Sequence, residues 1–264
     1  MEPASTESGV WQESLKIHSH DVDFRKRATG EALCRSFLEA AWNHAEQLGI
    51  GYSDLSKQNQ FWVLSRLLVQ VDRYPEWGDR VTLNTWPRGI SSVFALRDFE
   101  LMDSERRRLA GGASSWLVLD AATHRPQRID KLLLRIPNQI ARMSLQRDPA
   151  KLPTPETSAV TLTTSVRYSD IDVNQHVNSA RYVGWLLDSY PPDFHLKHSL
   201  RTLEINYVGE TLWGENVSVR SQQNNPLGFS HLIVKPDGAE LCRAQLEWTA
   251  EAADKELPTL AVVK

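Results

Sequence analysis

The segments Glu76 to Trp86 (EWGDRVTLNTW) and Leu212 to Gln222 (LWGENVSVRSQ) share the pattern Trp-Gly-acid-x-Val-hydroxyl-apolar, with Trp213 standing 136 positions after Trp77. The flanks repeat as well. The runs SRLLVQVDRY and RTLEINYV, which precede the two segments, both alternate apolar and polar residues as strands do. Two further strand-like runs follow each segment: VFALRDFELM and AGGASSWLVLD in the first half, FSHLIV and ELCRAQLEWTA in the second. The last pair is joined by Pro236, Asp237 and Gly238, a turn signal. The chain therefore reads as two copies of one unit.

Each copy opens with one helical segment. In the first, Leu33, Phe37, Ala40, Ala41, His44 and Leu48 recur at spacings of three and four, and Gly49 suits the helix end. In the second, Val177, Ala180, Gly184 and Leu187 share a face, and Gly184 is expected to allow close approach to a sheet. A helix followed by several antiparallel strands buries its stripe best on the concave face of a curved sheet. The expected fold is α+β, a tandem hotdog in which two helix-wrapped antiparallel sheets pack as a pseudo-dimer. The expected divisions are an amino-terminal unit over 10–136, a linker over 137–164 and a carboxy-terminal unit over 165–252. Pro137, Pro149, Pro153 and Pro155 mark the linker, with a short helix expected over Asn138 to Gln146. Duplicated units pack across a pseudo-twofold axis, where a site can form at the seam, and the same logic leaves a homodimer open.

With 264 residues, 41% of them hydrophobic and 24% charged, the chain can bury a substantial core. A net charge of -3, and no basic run beyond Arg106 to Arg108, argues against nucleic acid as a partner. Cys34 and Cys242 are the only cysteines and lie far apart, which excludes a disulfide framework or zinc-ligand spacing and fits a reducing compartment. The amino-terminal stretch lacks the basic and apolar regions of an export signal, and no apolar run is long enough to span a bilayer. The expectation is a cytoplasmic protein without a membrane span, metal or cofactor.

One stretch of the second copy, RYSDIDVNQHVNSARYVGWLLDSYP, places Asp172, Asn174 and His176 at alternate positions just before the helical run. Strand-like alternation from Asp172 to His176 would aim all three side chains to one side. There Asp172 could act as base or nucleophile, Asn174 could orient water or substrate, and His176 could relay a proton near neutrality. Backbone N–H groups at a helix start could stabilise an oxyanion. Asp and Asn before a helix are also ordinary N-caps, and a single His can be purely structural. The first copy has FRKRATGEALCRSF at this point, so only one of the two symmetric positions carries the cluster.

The segment DVNQHVNSARYVGW resembles the Asp-x-Asn-x-His signature of the acyl-acyl-carrier-protein thioesterases. WNHAEQLGIG, WVLSRLLVQVDRYPEWGDRVTLNTW, RDFEL and ASSWLVLDAATHRPQRI are similar to that family in the same order, so the resemblance covers nearly the whole chain. It implies a tandem hotdog fold and hydrolysis of fatty acyl-acyl-carrier-protein thioesters to free fatty acid and holo-carrier. It also implies that Asp172, Asn174 and His176 are catalytic, together with a fourth residue that best matches Glu210 in NYVGETLWGENV. In plant members a cysteine follows that glutamate, whereas here Thr211 does, which removes a thiol nucleophile at that position. The implied partner is an acyl carrier protein bearing a fatty acyl phosphopantetheine, met by a local basic patch. The expected mechanism is attack of water activated by Asp172 and Glu210 with His176 nearby, an acyl-Asp172 intermediate being the alternative. Phe61, Trp62, Trp86 and Phe94 are candidate walls of an acyl groove. Other readings are an acyl-CoA thioesterase, a hydratase of enoyl thioesters or a noncatalytic acyl-thioester sensor; the tight signature disfavours the hydratase, and the two carboxylates disfavour the sensor.

Overall fold

The computed structural model describes residues 9–129, 142–156 and 158–251. The first copy comprises β1 (Trp11–Lys16), α1 (Gly30–Gln47), a one-turn helix α2 (Tyr52–Leu55), β2 (Gln60–Val71), β3 (Arg80–Ser91), β4 (Phe94–Met102) and β5 (Arg108–Asp120). The second comprises β6 (Ala159–Ser165), α3 (Ser179–Asp188), α4 (Pro192–Lys197), β7 (His198–Tyr207), β8 (Asn216–Asn225), β9 (Gly228–Val234) and β10 (Glu240–Ala250). All neighbouring strands are antiparallel, in the order β1-β3-β4-β5-β2-β7-β10-β9-β8-β6, so the second copy repeats the first in reverse. The centre of that reversal is the β2–β7 pair, where Leu67 faces Ile205 and Leu68 faces Glu204. The sheets of the two copies are thus joined edge to edge into one ten-stranded sheet, and this pairing removes the exposed inner edge each would otherwise carry.

The two long helices pack against each other over the sheet, and one apolar core includes Phe37 and Ala40 of α1, Val183 and Leu186 of α3, and Leu67, Leu203 and Ile205 beneath them. α1 is capped by Thr29, whose hydroxyl accepts from Ala32 N–H, and Gly49 follows its end at φ 67°. Asn178 caps α3 by accepting from Ala180 N–H at 2.9 Å. Gly184 makes room for the other helix rather than for a sheet. A Cβ there would stand 2.4 Å from the Glu31 carboxylate of α1, which pairs with Arg181. Val177 is buried but precedes the helix.

Two expectations for the linker change. Residues 159–164, expected within it, belong to β6, which pairs with β8 at the sheet edge. The sequence AVTLTTS presents no buried face, so its alternation lacks the apolar signal of an inner strand. Of the helix expected over Asn138 to Gln146, the first four residues lie outside the described residues, and 142–146 are irregular chain. This segment packs on the sheet face opposite the helices. Ser144 N–H donates to buried Asp98, Leu145 packs with Leu68 and Ala113, and Arg147 donates to buried Glu204 through both Nη1 and Nη2. The Trp86 indole donates to Arg142 O on this side.

Candidate active site at the seam of the two copies

Residues 172–176 form a tight turn, so the strand-like alternation that would have aimed the three side chains to one side is not the geometry adopted. Gln175 N–H donates to Asp172 O at 3.0 Å, Asp172 N–H donates to His176 O at 2.9 Å, and Gln175 sits at φ 65°. The Asp172 carboxylate also accepts from Asn174 N–H at 2.8 Å, the Asx geometry that lets a short polar side chain hold its own turn. Alternate positions in such a turn can still serve one site, because Ile171 and Val177 bridge at its base and tie it to the start of α3.

The same turn exists in the first copy. Lys26 N–H donates to Asp23 O, Asp23 N–H donates to Arg27 O, Lys26 has φ 63°, and Val22 bridges Ala28. Asp23, Arg25 and Arg27 therefore stand where Asp172, Asn174 and His176 stand in the second copy. The acid and its turn recur, while two arginines replace the amide and the imidazole. Those arginines are drawn into ion pairs with Asp23 and Glu251 beside a cleft of about 520 Å3 that also holds Tyr74 and Ser199.

Glu210 reaches the turn from the loop after β7. Val208 and Gly209 N–H both donate to Leu241 O, and a Cβ on Gly209 would lie 2.6 Å from Glu240 O, so only glycine lets this loop pass β10 so closely. Beyond it Thr211 is fully buried and its hydroxyl donates to Glu215, which is held by Lys235. Val177 N–H donates to Thr211 O, which clamps the loop to the turn. The result is a distance of 3.4 Å between His176 Nε2 and Glu210 Oε2. The amides of Asn178 and Ala180 are taken by Asp170 O and by the Asn178 cap, so the helix start offers fewer oxyanion donors than its position alone suggests.

All four residues singled out by sequence line one cavity of about 1150 Å3. From them it runs into the first copy, between the second half of α1 and the sheet, past Trp42, Tyr52, Phe61, Trp62 and Trp116. Of the four candidate wall residues, Phe61 and Trp62 line it. Trp86 is on the other side of the sheet, under the linker, and Phe94 lies beneath the Arg66 guanidinium. Trp42, Tyr52, Trp116 and Arg97 were not anticipated as lining residues, nor was Tyr182, whose hydroxyl meets the Thr211 backbone. In the second copy the corresponding space is filled by α4 and a cluster of rings, with Tyr190 and Phe194 each packed about 5 Å from Trp248 and close to Phe229. The first copy's groove is open.

Both cysteines are buried, and burial pushes the Cys34 thiol up to about 12 and Cys242 higher still, so neither is a ready nucleophile. Among the described residues no cluster of three or more His, Cys, Asp or Glu side chains is arranged to hold a metal, and no helix is long and apolar enough to cross a membrane.

Comparison with known proteins gives this geometry a context. The family model of the acyl-ACP thioesterase N-terminal domain matches residues 8–136, and that of the C-terminal domain matches 154–250. The chain belongs to the acyl-ACP thioesterase family. A relative from Cuphea viscosissima, the chloroplastic acyl-[acyl-carrier-protein] hydrolase FATB2, is 29% identical in an alignment that covers 92% of this chain and 64% of that protein. This chain thus spans somewhat less than two thirds of the length of such plant relatives. The crystal structure of an acyl-ACP thioesterase from Bacteroides thetaiotaomicron superposes with a TM-score of 0.80 at 25% identity, covering 93% of this chain and 100% of that one. A 12:0-ACP thioesterase from Umbellularia californica gives 0.82 at 24% identity, covering 93% and 99%, and shares the double-hotdog fold with this member of the family.

Proposed function

We propose that this acyl-ACP thioesterase family member hydrolyses the thioester of fatty acyl-acyl carrier protein, releasing the fatty acid and the carrier thiol. The observation that carries the reading is one continuous cavity with Asp172, Asn174, His176 and Glu210 at one end and an aromatic-lined groove at the other. An acyl chain entering that groove gains about 0.8 kcal/mol per buried methylene, so the groove can both hold the chain and select its length. The carrier is inferred from the names of the relatives, which are acyl-ACP hydrolases from plants and bacteria.

In the proposed reaction a water adds to the thioester carbonyl and its proton passes to the acidic pair Asp172 and Glu210, relayed by His176 beside Glu210. The carbonyl oxygen takes up negative charge and is stabilised by the Asn174 side-chain amide. Collapse of the tetrahedral adduct breaks the C–S bond, and the proton returns to the departing sulfur. Asp172 also fixes Asn174 through the bond it accepts from Asn174 N–H. Thr211, tied to Glu215, has a holding role in the loop in place of a nucleophilic one.

The test is release of fatty acid and thiol from a panel of acyl-acyl carrier proteins and matching acyl-CoAs. Carrier-dependent release supports the reading; equal or greater release from CoA would move the substrate to acyl-CoA. Binding of acyl thioesters without hydrolysis would replace the enzyme reading with a sensor.

A further inference from the structure

The groove contains one residue that an alkyl chain does not explain. Arg97 on β4 lines the cavity among aromatic side chains, yet it is 7% exposed. Its neighbour Asp98 points to the opposite face of the sheet, where it serves Arg88 and the linker. Arg97 Nη1 instead meets only neutral groups, His44 Nδ1 at 3.1 Å and the Thr85 hydroxyl at 3.2 Å. Among the described residues no ion pair joins Arg97 to a carboxylate. A guanidinium carries five N–H donors and accepts nothing, so Arg97 Nη1 must donate to His44 Nδ1, which puts the imidazole proton on Nε2. His44 Nε2 is itself buried and has no hydrogen-bond partner, while Trp11 stacks on the ring. Burial, with Arg97 second, holds the imidazole far below its ordinary range, at about 3, so it stays neutral.

Buried donors without acceptors are costly, and native proteins rarely leave them so. The second copy supplies an internal comparison. There the corresponding space is filled, and its buried histidine, His231, has both nitrogens engaged, Nε2 by the Tyr190 hydroxyl and Nδ1 by Ser221 Oγ. A buried donor without a partner occurs in each copy, His44 Nε2 in the first and Trp248 Nε1 in the second, but Arg97 is the buried cation whose remaining donors stand at the wall of an open groove.

We propose that Arg97, positioned by His44 and Thr85, forms a polar subsite in the acyl groove that recognises a hydroxyl or keto oxygen carried on the acyl chain away from the thioester. This rests on the thioesterase reading for the reaction, but the subsite itself is a binding property. The oxygen accepts from the guanidinium, and the surrounding rings pack against the methylenes on either side. A hydrogen bond to a buried charged donor corresponds to about a tenfold preference or more over the plain chain.

The experiment compares acyl carrier proteins loaded with plain chains and with chains of equal length bearing one hydroxyl or keto group, moved along the chain in successive substrates. At one position the wild-type kcat/KM should exceed that of the plain chain about tenfold, and Arg97→Met should bring the ratio to about one. A parallel titration of the corresponding free acids, read by quenching of the groove tryptophans, decides the question for wild type independently of turnover and of how well the variant folds. Tighter binding of one oxygenated acid supports the subsite even if no thioester is cleaved, in which case the thioesterase reading alone fails. Equal binding and equal turnover of plain and oxygenated chains at every position would overturn the subsite and leave Arg97 a scaffold residue.

Discussion

His176 Nε2 stands 3.4 Å from Glu210 Oε2, across the contact between the turn before α3 and the loop after β7. Neither side chain is needed to close that contact, which is made by backbone, with Val177 N–H donating to Thr211 O. Both side chains remain partly exposed at the cavity wall. Replacing His176 should therefore change chemistry more than structure. His176→Ala is expected to lower kcat by about a hundredfold or more, the usual scale for a lost acid–base group, with a small change in KM. Steady-state kinetics beside a thermal melt would check this, and a large fall in melting temperature with unchanged kcat would contradict it.

Gly209→Ala tests the loop that delivers Glu210. The added Cβ would meet Glu240 O at 2.6 Å, and neither backbone can yield without moving the loop or β10. The expected result is a loss of kcat of about tenfold or more from displacement of the Glu210 carboxylate, with the variant still folded. Unchanged kcat would show that the loop tolerates the shift.

The first-copy turn provides the contrasting case. Asp23 accepts from the N–H groups of Arg25 and Arg27 and from Arg25 Nε, so Asp23→Ala leaves donors unpaired. A loss of about 1 to 3 kcal/mol of stability is expected, with kcat preserved. Denaturant unfolding and kinetics on the same preparation separate this from a catalytic role, since loss of kcat in a stable variant would place the first-copy turn in the reaction.

Stability should fall on acidification through a histidine remote from the cavity. Burial lowers His231 from 6.5 to about 4, so between those values the unfolded chain binds a proton that the folded protein does not. Stability is therefore intact above about pH 6.5 and declines toward pH 4, by on the order of 3 kcal/mol for this residue alone. His44, lowered further by burial and then by Arg97, acts in the same direction. His231→Gln should flatten the pH dependence measured by urea unfolding even while lowering stability at neutral pH. An unaltered slope would contradict the assignment.

The duplication was legible because the turn at Trp77 and Trp213 and the strands around it repeat both their polar pattern and their order. The helix stripe of α1 was equally clear from Leu33 to His44. Asp172, Asn174 and His176 stood out as a cluster, whereas Glu210, an exposed loop residue beside a glycine, was found only through family resemblance. Some features were not readable for physical reasons. The DVNQH pattern fits a strand and an Asx turn equally well, and the left-handed backbone at Gln175 decides between them. Gly184 signals a close approach without naming the neighbour, which is Glu31 of the other helix. β6 has too few apolar residues to betray a strand. Arg97 and Asp98 are adjacent charges in RDFEL, and nothing local reveals that both are buried on opposite faces of the sheet.

The most direct test of the site is single-turnover release of carrier thiol from an acyl-acyl carrier protein by wild type, Asp172→Asn and Glu210→Gln. Asp172 keeps its turn-forming oxygen in the amide, and Glu210 is exposed, so both variants should fold. The proposed mechanism predicts rapid release by wild type and a loss of about a hundredfold or more in each variant, with no acyl group trapped on the protein. Wild-type release rates in both variants, or an acyl adduct on Asp172 in the wild type, would contradict it.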